Sequence, residues 1–538
     1  MGDRPIVRTT GAPIRIRVRG AMAELHGLDP GKVLPHCLSF KHPEARHSRA
    51  YREGDWDGMV SLFSGRAFPA GLSQRVIDWL VQHDLRVELV ELRNREPIDL
   101  SRLTPTYMVD PTKPGFELRE YQLGGARAML ENVRGIAKAP TGSGKTETMA
   151  IVARYFWEEL GWRTLVIEPK LGVAIQTARR FALYYGSDVA VGLFAGGHRD
   201  IGPVIVATAQ TMLGFKPRTR KGSKRAVGRI VQADPLLRDV VRQYEVLIFD
   251  ECHRTSSETW FDLAMQSGAR RRFGLSATPI IDEDLRDARL IGATGPVIFS
   301  VPTSDLIAQG YAARPKIVMV MHENASGPEL PVRFETFVRN GVRLQRRVTV
   351  PYAEAYEKAI VQNDTHNRAV IRAVAWLVEK KRQVIVLCRR KSHFLRLAEL
   401  LEEAGIEFAA VWGATDVSDR DHAKRAFAQR RIPVALATTI WDEGEDIPSV
   451  EAIVLAEGVK VSTNSRQRVG RGMRPDSEDC WVVDFVPTGH PTLIEHAYRR
   501  ALAYESEGYE VRVLDTWPAV GEQESGELLP FLSWDTGV

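Results

Sequence analysis

The chain has 538 residues, of which 44% are hydrophobic and 26% charged, and it carries a formal net charge of +5 with an isoelectric point near 8.9. These values are ordinary for a soluble globular protein, and the length predicts roughly two to four domains. The sequence contains no run of 18 or more apolar residues, so no membrane span is predicted, and its first residues lack the apolar stretch of a secretion signal. The positive charge permits a nucleic-acid partner but does not establish one.

The cysteines exclude two classes of small-domain scaffold. They lie far apart and form no CxxC pair: Cys37, Cys252, Cys388 and Cys480. Neither a disulfide framework nor a zinc ribbon is therefore predicted. We expect a reducing cytoplasm, with the protein associated with the nucleoid, or with the host cytoplasm if the chain is viral.

The first 110 residues predict a small α+β domain. Apolar residues and arginines alternate over Ile14–Gly20, as in a half-buried strand, and a second strand is predicted over Arg86–Leu92. Phe68–Leu85 predicts a loop followed by an amphipathic helix. The segment Met1–Arg52 holds ten basic and four acidic residues. The domain is therefore either a lid that stabilises its neighbour or a substrate-recognition domain.

A phosphate-binding loop follows the linker Leu103–Gly115, which is rich in Pro and Thr. The loop consists of Thr141, Gly142, Ser143, Gly144, Lys145 and Thr146, and it opens into an amphipathic helix. Its two glycines let backbone N–H groups curl around phosphate oxygens at a helix N-terminus. Lys145 is predicted to reach the β/γ-phosphates of ATP, and the Thr146 hydroxyl to bind Mg²⁺. The full pattern begins with Gly, whereas this chain has Ala139 at that position.

A second acidic element lies in the stretch IFDECHR, Ile248–Arg254. The apolar run before it predicts a buried parallel strand, and ligands of open α/β sheets bind beyond such strand ends. Asp250 is predicted to hold Mg²⁺ through water, and Glu251 to orient and polarise the attacking water. We expect Cys252 to pack in the core and His253 to couple the nucleotide site to its surroundings. A zinc site is the alternative, but the stretch has no partner ligands at zinc spacing.

Strands and helices alternate in two repeats, so the predicted fold class is α/β. The predicted strands are Thr164–Ile167, Val204–Ala207, Val246–Phe249 and Arg272–Leu275 in the first repeat, and Val384–Leu387, Phe408–Val411, Val434–Ala437, Ala452–Leu455 and Trp481–Asp484 in the second. Each repeat is expected to form a parallel sheet with helices on its faces.

The stretch Phe215–Arg229 holds seven basic and no acidic residues. Such a run is either a solvated loop or a contact to phosphates. The stretch closely follows VIVATAQTM, which resembles the TAQ element of superfamily 2 helicases. This resemblance favours a DNA-contacting loop, with Lys221, Lys224 and Arg225 as the candidate contacts.

The phosphate loop APTGSGKT together with DECH resembles motifs I and II of the superfamily 2 helicases, in the DExH class. Further stretches resemble the other motifs of this family in the same order: ELREYQ, TLVIEPKLGVAIQ, VIVATAQTM, GLSATP, QVIVLCRRKSH, ATTIWDEGEDIP and QRVGRGMRP. The matches run collinearly from Glu117 to Pro475, and together they are far more specific than any one of the weaker motifs.

The resemblance implies two RecA-like domains in tandem, with ATP and Mg²⁺ as cofactors. The implied domains are 1–110 for substrate recognition, 116–294 and 295–510 for the two RecA-like sheets, and 511–538 as an acidic tail. It assigns nucleotide-site roles to further residues: Gln122 would contact adenine, Gly444 would bind the nucleotide, Asp446 would hold the ribose or link ATP to DNA, Gln467 would place the water or the γ-phosphate, and Arg471 and Arg474 would reach the γ-phosphate as arginine fingers. It also assigns Ser276 and Thr278 to coupling, and Thr208, Gln210 and Thr438 to contacts with nucleic-acid phosphates.

The N-terminal region looks like that of phage UvsW-type helicases, because a WDG element precedes a strand and a PAGL segment begins a helix. XPB-type helicases carry a comparable accessory domain. This resemblance implies an ATP-dependent motor, expected to be a monomer, that remodels branched DNA in recombination, repair or replication restart, with other proteins of those processes as possible partners. An RNA helicase and an ATP-driven clamp that does not unwind are the alternatives. The segment His322–Gly341 resembles an insertion, and we assign it no function.

Overall fold

A computed structural model describes residues 13–93, 96–215, 218–220, 229–231, 234–280, 284–311, 314–322, 333–339, 342–348, 352–412, 415, 417–438, 450–457, 479–487, 490–514 and 517. The chain divides into two compact units. The first comprises residues 1–139 and 144–301, and the second comprises residues 140–143 and 302–538.

The N-terminal part of the first unit is a small α+β domain. Its strands are β1 (Ile14–Arg19), β2 (Met22–His26), β3 (Ser39–Lys41), β4 (Met59–Ser61), β5 (Ala67–Pro69) and β6 (Val87–Glu91), and its helices are α1 (Leu34–Leu38), α2 (Arg49–Glu53) and α3 (Ser73–Gln82). Four strands form a sheet in the order β5-β2-β1-β6, in which β1 is antiparallel to β2 and parallel to β6. Ile14, Ile16 and Val18 of β1 are buried while the arginines between them face outward, as their alternation predicts.

The rest of the first unit is a parallel sheet with helices on its faces. The strands are β7 (Arg134–Lys138), β8 (Thr164–Glu168), β9 (Val191–Phe194), β10 (Val204–Thr208), β11 (Arg218–Arg220), β12 (Arg229–Val231), β13 (Val246–Asp250), β14 (Arg271–Ser276) and β15 (Val297–Ser300). The helices are α4 (Glu120–Glu131), α5 (Lys145–Leu160), α6 (Leu171–Tyr185), α7 (Ala209–Met212), α8 (Pro235–Gln243), α9 (Glu258–Gln266) and α10 (Asp284–Thr294). Seven of these strands pair in parallel in the order β15-β7-β14-β13-β8-β10-β9, and β11 and β12 form a separate antiparallel pair.

The strands of this sheet are apolar on both sides because helices cover both faces. Every residue of β8 and β10 is buried. The side chains of β8 alternate between two hydrophobic cores: Val166 belongs to the core with α5, and Leu165 and Ile167 to the core with α8 and α9.

The N-terminal domain packs directly on α10. Leu285 and Ala288 of this helix belong to the hydrophobic core of the small domain. Gly71 lies so close to the helix that an added Cβ would come within 1.8 Å of the Ile291 carbonyl oxygen. The small domain and α10 are therefore parts of one packed body.

The second unit contains another seven-stranded parallel sheet. Its strands are β16 (Arg314–His322), β17 (Arg333–Arg339), β18 (Val342–Val348), β19 (Val384–Leu387), β20 (Phe408–Val411), β21 (Val434–Ala437), β22 (Ala452–Leu455), β23 (Asp479–Pro487) and β24 (Val511–Leu514). Its helices are α11 (Thr303–Ala308), α12 (Tyr352–Tyr356), α13 (Asp364–Glu379), α14 (Lys391–Glu403), α15 (Val417–Ala428) and α16 (Pro491–Ser506). The sheet order is β20-β21-β19-β22-β23-β16-β24. A separate antiparallel hairpin is formed by β17, which lies in the segment predicted as an insertion, and by β18, which begins directly after that segment.

A buried ion pair joins α16 to β23 in this unit. Arg500 donates from Nε to Asp484 Oδ2 at 2.7 Å and from Nη2 to Asp484 Oδ1 at 3.0 Å. The Tyr504 hydroxyl donates to the same carboxylate at 3.1 Å. Both charged side chains are almost completely shielded from solvent, with 1% of Arg500 and none of Asp484 exposed.

The strands predicted from sequence are present in both sheets, with ends that differ by up to a few residues. Five sheet strands were not predicted: β7, β9, β15, β16 and β24. The predicted tail 511–538 is wrong in its first residues, since Val511–Leu514 pairs with β16 and buries Val511, Val513 and Leu514. Within the described ranges, no helix has the length and apolar character that crossing a bilayer requires.

Candidate active site

The phosphate loop connects the end of β7 to the start of α5. Gly142 has φ +79° and Gly144 has φ +84°, values that favour glycine. Ser143 stabilises the turn because its Oγ donates to the Pro140 carbonyl at 2.7 Å. Thr141 also lies in this loop, and its buried hydroxyl has no partner among the described residues. The loop therefore presents backbone N–H groups at the N-terminus of a 16-residue helix, which suits phosphate.

Gln122 lies directly against this loop. It is 5% exposed, and its Oε1 accepts a hydrogen bond from the backbone N–H of Arg119 at 2.9 Å. A Cβ added to Gly144 would lie 2.1 Å from Gln122 Nε2 and 2.8 Å from Glu147 Oε2. The predicted adenine-contacting residue and the phosphate loop are thus packed against each other.

We expect Gly144→Ala to weaken ATP binding by at least about tenfold, because a new methyl group displaces Gln122 and the backbone conformation is strained. Fluorescence titration with a labelled ATP analogue measures this. Gly161→Ala is the matched control: Gly161 has φ +65° at the other end of α5, but an added Cβ meets nothing within 4 Å. This control should lose only about 1 kcal/mol of stability. Equal ATP affinities for the two variants would contradict the expected clash.

Lys145 faces the carboxylate that follows β13. Its Nζ lies 3.6 Å from Glu251 Oε1. Glu251 has φ +48°, a left-handed conformation that is uncommon for a residue with a side chain and that turns it sharply out of the strand. Burial alone would raise the pKa of Glu251, but Lys145, His253 and Ser276 together outweigh it and lower the pKa to about 2. Glu251 is therefore a carboxylate at neutral pH, as a general base that takes a proton from water must be.

His253 and Ser276 surround the other oxygen of Glu251. His253 Nδ1 lies 3.3 Å from Glu251 Oε2 and 3.2 Å from Ser276 Oγ, and Ser276 Oγ donates to Glu251 Oε2 at 3.3 Å. The backbone N–H of Thr278 donates to Ser276 Oγ at 3.2 Å. The structure thus brings the three predicted coupling residues into one network with the candidate catalytic carboxylate.

Asp250 and Thr146 are the candidates for holding Mg²⁺. Asp250 Oδ1 is buried without a hydrogen-bond partner among the described residues, which suits an oxygen that faces a hydrated cation. Thr146 is partly buried in the first turn of α5. Burial, and then repulsion from Glu251, raise the pKa of Asp250 to about 6, and a nearby cation would favour its charged form. The donors present therefore fit the ion, which when bound would offset charge on the phosphates of ATP.

Cys252 packs in the hydrophobic core, as predicted. It is fully buried, and an added Cβ on Gly274 would lie 2.8 Å from its Sγ. The prediction that Cys252 is a packing residue is confirmed.

Two buried carboxylates near the site were not predicted. Glu168 ends β8 beside Asp250, is fully buried, and accepts a hydrogen bond from Thr177 Oγ1 at 2.8 Å. Its pKa is raised well above the ordinary value by burial and then by Asp250. Glu147 accepts hydrogen bonds from Arg180 at 2.7 Å and Tyr184 at 2.6 Å. Glu168, like Asp250, is an acidic residue at the end of a buried apolar strand. The pattern that identified Asp250 in the sequence could therefore have identified Glu168 as well.

Thr208 ends β10, two strands away from Asp250 in the sheet order, and Gln210 lies in α7, which follows directly. Thr208 caps α7: its Oγ1 accepts from Thr211 N at 3.3 Å, and the residue is 6% exposed. Gln210 is exposed in the same helix. Thr438 follows β21 in the second unit, where its N–H donates to the Val411 carbonyl at 3.1 Å. The remaining predicted site residues lie outside the described residues: Lys221, Lys224, Arg225, Gly444, Asp446, Gln467, Arg471 and Arg474.

Comparisons with known proteins agree with this geometry. Residues 115–281 match the family described as type III restriction enzyme, res subunit, and residues 365–476 match the helicase conserved C-terminal domain. The chain is 24% identical to the DNA 3'-5' translocase XPB2 of Sulfurisphaera tokodaii over 70% of this chain and 83% of that protein. It is also 24% identical to the ATP-dependent DNA helicase uvsW of Enterobacteria phage T4, over 81% of this chain and 82% of the relative.

A solved structure shows the fold independently. The ATP-dependent Type ISP restriction-modification enzyme LlaBIII superposes with a TM-score of 0.53 over 86% of this chain and 35% of that one, at 14% identity. Two parallel sheets, a phosphate loop and an acidic strand end define the class of tandem RecA-like ATP hydrolases. Within that class, the two matched family models and the motifs DECH and TGSGKT make the chain similar to the superfamily 2 helicases of the DExH type, among them the UvsW and XPB helicases.

Proposed function

We propose that this protein is an ATP-dependent DNA helicase or translocase that remodels branched DNA, such as forks, Holliday junctions or D-loops, in recombination, repair or replication restart. The observation that carries the proposal is the row of polar strand ends in the first sheet. Asp250 of β13, Glu168 of β8 and Thr208 of β10 end neighbouring strands. The candidate ATP site and a candidate nucleic-acid contact therefore belong to one rigid sheet edge.

The contacts around Glu251 support a motor that is driven by ATP hydrolysis. Lys145 would bind the phosphates, Glu251 would accept the hydrogen bond of the attacking water, and His253 and Ser276 would keep the carboxylate oriented. Asp250 and Thr146 would hold Mg²⁺, which when bound would neutralise charge on the phosphates of ATP. Since Ser276 and His253 contact Glu251 directly, a change in the hydrolysis site is expected to move the loop after β14, and with it Thr278.

DNA is favoured as the substrate because both curated relatives described above carry the word DNA in their names. The preference for branched DNA rests on the similarity to uvsW and on the packed N-terminal domain. Because this domain shares a hydrophobic core with α10, a DNA segment bound to it would move together with the first sheet.

The test is ATP hydrolysis and strand release on matched single-stranded, duplex, forked and four-way DNA, with an RNA duplex and the Lys145→Ala variant alongside. The proposal predicts that forked or four-way DNA drives both activities most strongly, and that Lys145→Ala loses both. ATP hydrolysis without strand release would favour an ATP-driven clamp. A preference for the RNA duplex would refute the assignment of DNA.

We expect the combined replacement of Lys221, Lys224 and Arg225 by Ala to lower the salt dependence of DNA binding. Each lost phosphate contact removes about 0.9 from the slope of log affinity against log salt, so three contacts give a change of about 2–3. Fluorescence anisotropy at several salt concentrations measures this slope. The matched control replaces Lys380, Lys381 and Arg382, which precede β19 at the sheet edge opposite to the ligand-binding one. Equal slopes for the two triple variants would refute the contact.

A further inference from the structure

Three arginines converge where the N-terminal sheet meets the beginning of the large sheet of the first unit. Arg93 follows β6, and Arg134 begins β7 directly opposite Arg272 of β14. Arg134 Nη2 donates to the carbonyl of Gly20, between β1 and β2, at 2.6 Å. Arg134 is 9% exposed and Arg272 is 1% exposed, while the side chain of Arg93 is 13% exposed. We call this cluster the arginine site.

The partners of these arginines satisfy only part of each guanidinium. Arg93 uses two nitrogens to bind both oxygens of Glu91, and Arg272 donates to the carbonyls of Ala264 and Ser267. Four further nitrogens are buried without a partner among the described residues: Arg93 Nη1, Arg134 Nε, Arg134 Nη1 and Arg272 Nε. Buried donors of this kind are rare in native proteins unless an ion or water occupies the space beside them.

The charges of the arginine site are also unbalanced. Glu91 is the carboxylate that acts on Arg134, and Arg93 already engages both of its oxygens. Burial, followed by repulsion from Arg93 and Arg272, holds the pKa of Arg134 well below its ordinary value. Burial and Arg93 lower the pKa of Arg272 to about 10, so this group is still charged at neutral pH. Buried positive charges that repel each other destabilise a fold unless an anion compensates them.

We propose that the arginine site binds a small oxyanion of the phosphate class. Planar guanidinium groups match the oxygens of phosphate in paired hydrogen bonds, and the free donors come from all three arginines. The low exposure of Arg134 and Arg272 favours a free anion over a phosphate of a DNA backbone, because a polymer needs an open groove. The anion would connect the N-terminal domain to the large sheet, and this role is independent of the proposed helicase function.

The test measures thermal unfolding of the full chain in sodium phosphate and in sodium chloride at equal ionic strength and pH 7. The Lys145→Ala background is used because it removes the phosphate-binding lysine of the ATP site. We expect phosphate to raise the Tm by about 5 °C at concentrations far above the Kd. Arg134→Gln in the same background should lose this increment, and its Tm in chloride should equal or exceed that of its parent.

Arg270→Gln serves as the matched control, because Arg270 precedes β14, pairs with Glu96 at 3.6 Å and exposes 57% of its side chain. This variant should keep the full rise in Tm that phosphate produces in the Lys145→Ala parent. Comparison with it also corrects for the general effect of phosphate on protein stability. If Arg134→Gln does not fold, Arg93→Gln at the more exposed edge is expected to lose the increment instead. An increment of equal size with and without the arginine overturns the proposal, and so does an arginine-dependent shift that duplex DNA produces and free phosphate does not.

Discussion

Replacing Glu251 with Gln is expected to lower ATP turnover by about 10²–10⁴-fold while ATP affinity changes by no more than a few fold. Gln keeps the size of the side chain and can still accept a hydrogen bond from Ser276, whose Oγ lies 3.3 Å from Glu251 Oε2. It removes the negative charge that a water-activating group needs, and effects of this size are typical when a general base is lost. Steady-state ATPase kinetics and equilibrium ATP binding, measured together, separate the two quantities.

Glu245→Gln is the matched control for this prediction. Glu245 lies just before β13, at the other end of the strand from Glu251, where its Oε2 accepts from the backbone N–H of Arg163 at 2.9 Å. This variant should hydrolyse ATP at close to the wild-type rate. A turnover for Glu251→Gln within about threefold of wild type would show that another group activates the water.

Replacing Asp484 with Ala is expected to lower the free energy of unfolding of the second unit by about 3–5 kcal/mol, because it leaves the buried charge of Arg500 without its partner. Burial alone would lower the pKa of Arg500, but Asp484 outweighs it and raises that pKa. Urea unfolding followed by tryptophan fluorescence is a suitable measurement, since Trp376 and Trp481 pack together in the core of this unit.

A double variant distinguishes the lost ion pair from lost packing. Asp484→Leu combined with Arg500→Met removes both charges and retains most of the buried volume, so it should recover most of the lost stability. If the double variant is as unstable as Asp484→Ala, the packing around these side chains matters more than the uncompensated charge.

Prediction from the sequence was most accurate for features that are determined by residues close together in the chain. The apolar run before Asp250 predicts both the strand and the position of its carboxylates at the ligand-binding edge, and the glycines around Ser143 predict the phosphate loop. Three of the five missed strands, β9, β15 and β24, lie at sheet edges, where burial depends on neighbours that are distant in the chain. Val511–Leu514, for example, becomes a strand by pairing with β16, which lies almost 200 residues earlier.

Contacts between distant segments could not be predicted from the sequence. Nothing near Arg134 indicates that it faces Arg272, since this pairing is created by the order of strands in the sheet. The close packing of Gln122 against Gly144 likewise depends on how α4 lies beside the loop. The orientation of His253 toward Ser276 arises because β13 and β14 are neighbours, although the two residues are 23 positions apart.

The close approach of Gly71 to α10 has a consequence for protein engineering. A side chain at position 71 would collide with the backbone of that helix, and Leu285 and Ala288 complete the core of the small domain. The N-terminal domain therefore cannot be exchanged for another domain simply by joining the two sequences at its last residue. A chimera that takes residues 13–93 from another protein would also need the matching surface of α10, which follows in sequence only after nearly the whole of the first large sheet.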